Sequence, residues 1–309
     1  MRLSTYCSLC LILFPLWLEG KAVAETPQDD GSVQVRLLEP GAEPRHVVRF
    51  TPQIGDKQTA EMIMKMNQQI SMGENKLPSQ AMPPQKITME IHVTDVAANG
   101  DIAFDFKYTD MKVIDDPDNP SPIASMIDNL LKPMIGSTGS GIVTNRGFAR
   151  NAEFNIPEGL SPQIKQMLAG MKDTMSRLSS PVPAEPIGKG AKWEVVQYIT
   201  ANGMKLKQTT THEIKQIDNE GFEMFVMIDQ DAEPQDIKNP MLPAGTKITL
   251  NSLISKGTGK STIVESSVFP ISSEVSLESK TDMSVDVGGQ AQQMNTDLTL
   301  EMSLNQVKD

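Results

Sequence analysis

Two alternating stretches meet at Asn99-Gly100, and no other pattern restricts this chain as strongly. Ile87, Met89, Ile91 and Val93 are separated by Thr88, Glu90 and His92; Ile102, Phe104, Phe106 and Tyr108 are separated by Ala103, Asp105 and Lys107. A period of two sends alternate side chains to opposite faces of a strand, so each stretch reads as a strand with one buried side. Asn-Gly accepts the positive φ angles of a tight hairpin turn, and the two strands are therefore expected to pair antiparallel.

The landmarks of this region recur in the same order. Gly55-Asp56-Lys57, Asn99-Gly100 and Gly139-Ser140-Gly141 are followed by Gly190-Ala191-Lys192, Glu220-Gly221 and Gly257-Thr258-Gly259. Laying the second hairpin on the first places Ile214 on Val93, Ile217 on Val96, Phe225 on Phe104 and Met227 on Phe106. A Pro/Met-rich insert from Ser71 to Gln85 accounts for the longer first interval. The reading is a diverged duplication of one β-unit, with Phe104 and Phe225 both in the core; the alternative is that glycine simply recurs in the turns of any β-protein.

Two segments change period. Ser121-Pro122 precedes Ile123, Met126, Ile127, Leu130, Leu131 and Met134, and Ser161-Pro162 precedes Ile164, Met167, Leu168, Met171, Met175 and Leu178; each set falls on one helical face. Serine as cap with proline at the first helical position is favourable start chemistry. The expected fold class is mainly β (α+β): antiparallel β-sheets from two diverged repeats, with about two amphipathic helices, near 121–135 and 161–178, packed on them. The expected order is a leader at 1–24, a flexible segment at 25–44, a first β-unit at 45–180, a Pro-rich linker at 181–189 and a second β-unit at 190–309.

The first residues read as a secretory signal. Arg2 gives the positive start, Leu9 to Leu18 the apolar core, and Ala22-Val23-Ala24 the cleavage site before Glu25. The protein is thus expected to be exported, periplasmic or extracellular, with no transmembrane segment after the signal peptide, because no later run approaches the roughly 20 apolar residues a spanning helix needs. Both cysteines, Cys7 and Cys10, fall in the leader, so neither a disulfide nor a thiolate metal site is expected in the mature chain. The chain carries 39 acidic and 28 basic residues, net −11, with no Lys/Arg run interleaved with aromatics, which argues against nucleic acid as a partner.

The stretch Pro183-Ala184-Glu185-Pro186-Ile187-Gly188-Lys189-Gly190-Ala191-Lys192-Trp193 resembles the mid-chain signature of an uncharacterised family of exported bacterial β-rich proteins, a domain of unknown function. Matching elements extend over residues 45 to 305, of which only the stretch Pro183 to Trp193 is specific. The resemblance implies a secreted bacterial protein without assigned catalytic residues.

Candidate chemistry is sparse. Ser255-Lys256-Gly257-Thr258-Gly259-Lys260-Ser261-Thr262 imitates the tail of a phosphate-binding loop, but Ile254 stands where the first glycine belongs and a β-branched run replaces the required helix, so no nucleotide site is expected. Gly257 and Gly259 read instead as relaxing a strand at a bend or bulge. His46, His92 and His212 lack metal-binding spacing and are expected at the surface, and Asp115-Asp116-Pro117-Asp118-Asn119 lacks the glycine and distal acid of a calcium loop. No metal, cofactor or catalytic residue is assigned.

Met126, Met134, Met167, Met171 and Met175 are the candidate ligand-binding residues, because methionine surfaces adapt to variable apolar shapes. The function expected is that of a non-enzymatic envelope protein binding a lipid-like or other apolar ligand, or an envelope protein as partner. The alternatives are a structural or adhesive partner-binding protein and a hydrolase with a site assembled in space. Intact-mass measurement of the native protein should find its N-terminus at or near Glu25; a mature form retaining Met1 would remove the export reading.

Overall fold

The hairpin at Asn99-Gly100 forms: β4 (Gln80–Val96) and β5 (Ile102–Val113) pair antiparallel, and Gly100 takes the positive φ of +86°. The computed structural model describes residues 33–118, 121–155, 181–201, 203–237, 246–287 and 289–307. The remaining strands are β1 (Val33–Glu39), β2 (Lys57–Met72), β3 (Asn75–Lys76), β6 (Thr138–Val143), β7 (Ala149–Asn155), β8 (Lys192–Ala201), β9 (Met204–Ile217), β10 (Gly221–Ala232), β11 (Gln235–Ile237), β12 (Thr246–Val264), β13 (Ser272–Val287) and β14 (Gln290–Val307). All lie in one antiparallel sheet of order β1-β8-β9-β10-β12-β13-β14-β2-β4-β5-β6-β7, with β11 beside β12 and β3 beside β2. The fold is mainly β, as expected.

Two runs of strands share a neighbour order, β2-β4-β5-β6-β7 and β8-β9-β10-β12-β13, and each is flanked on its first strand by a strand from outside the run. Their register corrects the residue pairing read from sequence. Val93 faces Phe104 in the first hairpin, whereas Ile214 faces Met224, not Phe225, in the second. The cause is a turn one residue shorter: Val96 faces Ile102, and Ile217 faces Phe222. The slip moves Phe225 to the opposite face, where it is only half-buried under the Lys215 ammonium, 5.6 Å from its ring centroid. Phe104 is half-buried too, against the core and edge-on to Phe269 at 6.2 Å. Neither phenylalanine occupies the core centre that the duplication assigned to it.

One helix stands among the described residues. α1 (Ala124–Leu131) continues into a 3-10 turn at Lys132–Met134 and packs Ala124, Ile127, Leu131 and Met134 inward along β5. It starts later than the Ser-Pro signal placed it: the residue at the cap is Ile123, with no side-chain cap, because Ser121 is spent in a turn that accepts the Ala124 N–H and donates its own N–H to Asp115. The second expected helix, near 161–178, and the leader lie outside the described residues. No helix among the described residues is long and apolar enough to cross a membrane.

A single buried cluster draws on both runs of strands: Met64, Ile91 and Phe106 from one, Trp193, Ile214 and Met224 from the other. Residues 181–189, expected as a linker, anchor in this core through Val182 and Ile187, both fully buried, while Ala184, Glu185, Pro186 and Lys189 are exposed. They tie the ends of the sheet together. The Arg146 guanidinium in the β6–β7 turn donates to the Val182 carbonyl at 2.9 Å, and the Val182 N–H donates back to Arg146 at 3.1 Å. Trp193 on β8 donates Nε1–H to the Pro181 carbonyl at 3.0 Å. Arg49 reaches the carbonyls of Pro183 and Ala184 at 3.2 and 3.1 Å, and His46 and Ile187 exchange backbone hydrogen bonds. Strands at opposite ends of the order are thereby bridged, and the sheet curls over its own apolar face.

Trp193 is at once the largest side chain of the core and a partner of this clasp, with 0% exposure. Trp193→Ala should cost about 3–5 kcal/mol in denaturant unfolding, from cavity formation and the stranded Pro181 carbonyl. A loss below about 1 kcal/mol would show that the clasp does not hold the fold.

Candidate functional site

Because every strand alternates, side chains on the concave face line up in rows that cross the sheet. One row joins Trp193, His212, Val226 and Gly259. The imidazole of His212 stacks on the Trp193 indole with centroids 4.8 Å apart and planes inclined by 3°. It is fully buried, contrary to the surface position expected for it, because β9 turns its polar residues Gln208, Thr210 and His212 inward and its Lys205, Lys207 and Lys215 outward. Burial holds the His212 pKa down to about 3, only partly offset by hydrogen bonds with the backbone at Trp193 and Thr210. A neutral stacked imidazole at physiological pH is a packing element, not an acid.

Four residues further along each strand, the interior becomes polar. Gln197 faces Gln208, Gln208 faces Gln230, Gln230 faces Ser255 and Ser255 faces Ser279, five neighbouring strands with every side chain buried. The Gln230 amide donates to Gln208 Oε1 at 2.7 Å, Gln208 to Thr210 Oγ1 at 3.4 Å, and Ser255 Oγ to Ser279 Oγ at 2.9 Å. This neutral belt separates the main core from a smaller cluster of Ile199 and Leu206 with Ala232 packed on it. Buried amides are tolerated because they bond sideways to one another.

Beyond the belt, the long strands β12, β13, β14 and β2 carry apolar residues on the same face. Leu250 faces Met283, Met283 faces Met294, and Met294 faces Met72. Leu250 is buried, but the three methionines and their neighbours Ile70 and Val285 are only partly so. A β-bulge between Leu250 and Ser252 keeps Leu250 on this face. The row is an open apolar wall built from segments more than 200 residues apart in sequence, which no local pattern could announce.

Of the candidate residues from sequence, the two that are described, Met126 and Met134, do not share a surface. Met134 is 1% exposed beneath α1, Met126 is 66% exposed on its outer side, and Met167, Met171 and Met175 lie outside the described residues. The loop-like stretch Ser255–Thr262 is the interior of β12, paired on both sides without a bulge. Gly257 is required there by close approach: a Cβ would stand 2.6 Å from the Ser276 carbonyl oxygen. Asp116 accepts the Asp118 N–H at 3.0 Å, so this acidic loop uses its carboxylates as turn caps. His92 is exposed, and His46 Nε2 lies 3.5 Å from the Glu265 carboxylate.

Since His212 has a depressed pKa in the fold, the unfolded chain takes up that proton first. The contribution to stability is complete above about pH 6.5 and is lost as pH falls towards 3, by up to about 1.4 kcal/mol per pH unit. Unfolding of wild type and His212→Gln across pH 7 to 4 should show a shallower decline in the variant; parallel curves would mean that His212 titrates alike folded and unfolded.

No protein-family model and no curated protein matches the chain. Among solved structures, it is similar to two engineered variants of the Rh. blastica porin, each at 5% identity, covering 80% of this chain and 100% of the porin, with TM-scores of 0.20. A similarity at that level carries no argument about this chain.

Proposed function

We propose that this is an exported, non-catalytic envelope protein that binds a lipid-like ligand on the methionine wall, and that its two runs of strands descend from one duplicated β-unit. The observation that carries the ligand is the row Leu250, Met283, Met294 and Met72: apolar, continuous with the face that forms the core, and yet left partly open. Partly exposed methionines on an interior face favour a flexible apolar occupant, because the thioether chain repacks at little cost. The glutamine and serine belt forms the inner limit of such a site, since an alkyl chain entering it would have to break the Gln230–Gln208 and Ser255–Ser279 bonds. The shared neighbour order of the two runs, with β14 beside β2 as β1 is beside β8, supports the duplication.

The site can be tested with a fluorescent sixteen-carbon fatty acid. Saturable uptake is expected, competed by unlabelled palmitate and weakened at least about tenfold by Met283→Lys or Met294→Lys, each of which puts a charge on the wall. Native mass spectrometry of protein from its own envelope should show adduct mass that delipidation removes. Absence of uptake together with only apo mass would discard the reading.

A further inference from the structure

The opposite, outer face of the same strands carries a groove of about 450 Å³ that the lipid-binding reading does not use. Its floor is two adjacent cross-strand rows. In the first, Phe225 faces Lys260, Lys260 faces Glu274, Glu274 faces Ser303 and Ser303 faces Ile63; in the second, Thr258 faces Ser276, Ser276 faces Glu301 and Glu301 faces Lys65. The first row crosses β10, β12, β13, β14 and β2, four spacings or about 19 Å at the usual distance between strands. Thr258 and Lys260 belong to the glycine-bearing stretch that imitates a phosphate loop, and here they have a place.

We propose that this groove binds an extended, uncharged oligosaccharide. Its charges balance: Lys260 stands beside Glu274, and the Lys65 ammonium lies 3.7 Å from the Glu301 carboxylate. A net-neutral set of ammonium and carboxylate groups offers charge-assisted donors and acceptors to hydroxyls without selecting an ion. Thr258, Ser276 and Ser303 add hydroxyls that can donate or accept, repeated at strand spacing. The half-buried Phe225 and Ile63 at the ends of the first row supply the apolar surface on which the C–H face of a sugar ring rests. The Lys215 ammonium lies over the Phe225 ring at 5.6 Å from its centroid, and the ring also lines the groove.

Other polymers fit less well. Each of the five strands is paired on both sides, so no main-chain donors or acceptors are open to add a peptide strand. Glu274 and Glu301 in the floor, on a chain of net charge −11, oppose a nucleic acid. An alkyl chain would leave four charged side chains desolvated and gain only two apolar contacts.

Isothermal titration of the full mature chain with cellohexaose, maltohexaose and the hexamer of N-acetylglucosamine tests the proposal, with a neutral Gly/Ser dodecapeptide as the competing class. Saturable binding of at least one hexasaccharide is expected, weakened at least about tenfold by Phe225→Ala and by Thr258→Trp, which fills the groove from an exposed position. Met283→Lys, on the opposite face, should leave sugar binding unchanged, so failure of the lipid site and failure of this groove are separable. No saturable heat from any of the three sugars, binding that survives Thr258→Trp in a variant that melts like wild type, or preference for the dodecapeptide would overturn the proposal.

Discussion

The carbonyl oxygens of Pro181, Val182, Pro183 and Ala184 set the condition on which the rest of the sheet depends. A proline-rich segment presents acceptors but few N–H donors, so it cannot join a ladder as an ordinary neighbour. Here side chains supply the missing donors: the indole of Trp193, the guanidinium of Arg146 and that of Arg49. Arg49 is itself buried, and a buried guanidinium is costly unless its hydrogens are used. The exchange is therefore mutual: the carbonyls make the buried Arg49 tolerable, and the side-chain donors make the prolines tolerable. It is also what converts a twelve-strand path with two ends into a sheet that covers its own apolar face.

That closure produces an interior whose chemistry changes by layers. The clasp end is packed with Trp193, Ile187 and Phe50; the middle is crossed by hydrogen-bonded amides and hydroxyls; the far end opens to methionines. Neutral residues suit the middle layer, because an amide that bonds to its cross-strand neighbour loses little on burial, whereas a charge would need a partner of its own. The same strands face outward with lysine, glutamate, serine and threonine, so one set of strands offers apolar chemistry on one side and polar chemistry on the other.

How much of this could be read in the chain depended on what each strand buries. β4 and β5 turn aliphatic and aromatic residues inward at alternate positions, fully buried at Ile87, Ile91, Val93, Ile102, Phe106 and Tyr108, and the hairpin around Asn99-Gly100 is plain. β9 buries Gln208, Thr210 and His212, so its alternation is polar on both faces and hydrophobic periodicity cannot say which way it points. The one-residue difference between the two hairpin turns was invisible for the same reason, and it carried Phe225 to the outer face. The clasp at 181–193 could not be read from the chain, since its partners Arg49 and Arg146 are distant in sequence from the carbonyls they reach. The methionine row was hidden altogether, because Met72, Met283 and Met294 become neighbours only through strand pairing.

The position of β14 has a consequence for how the chain acquires its structure. Residues 290–307 lie between β13 and β2, so the edge of β2, laid down at residues 57–72, stays unsatisfied until a segment more than 200 residues later arrives beside it. Closing a loop of that length precedes any reward from the pairing, which makes assembly slow and strongly non-local. During that interval the β2 edge with its methionines is an adhesive template for other strands, so the hazard of misassembly is concentrated in time before β14 docks. A helper that shielded this one edge would protect the whole sheet.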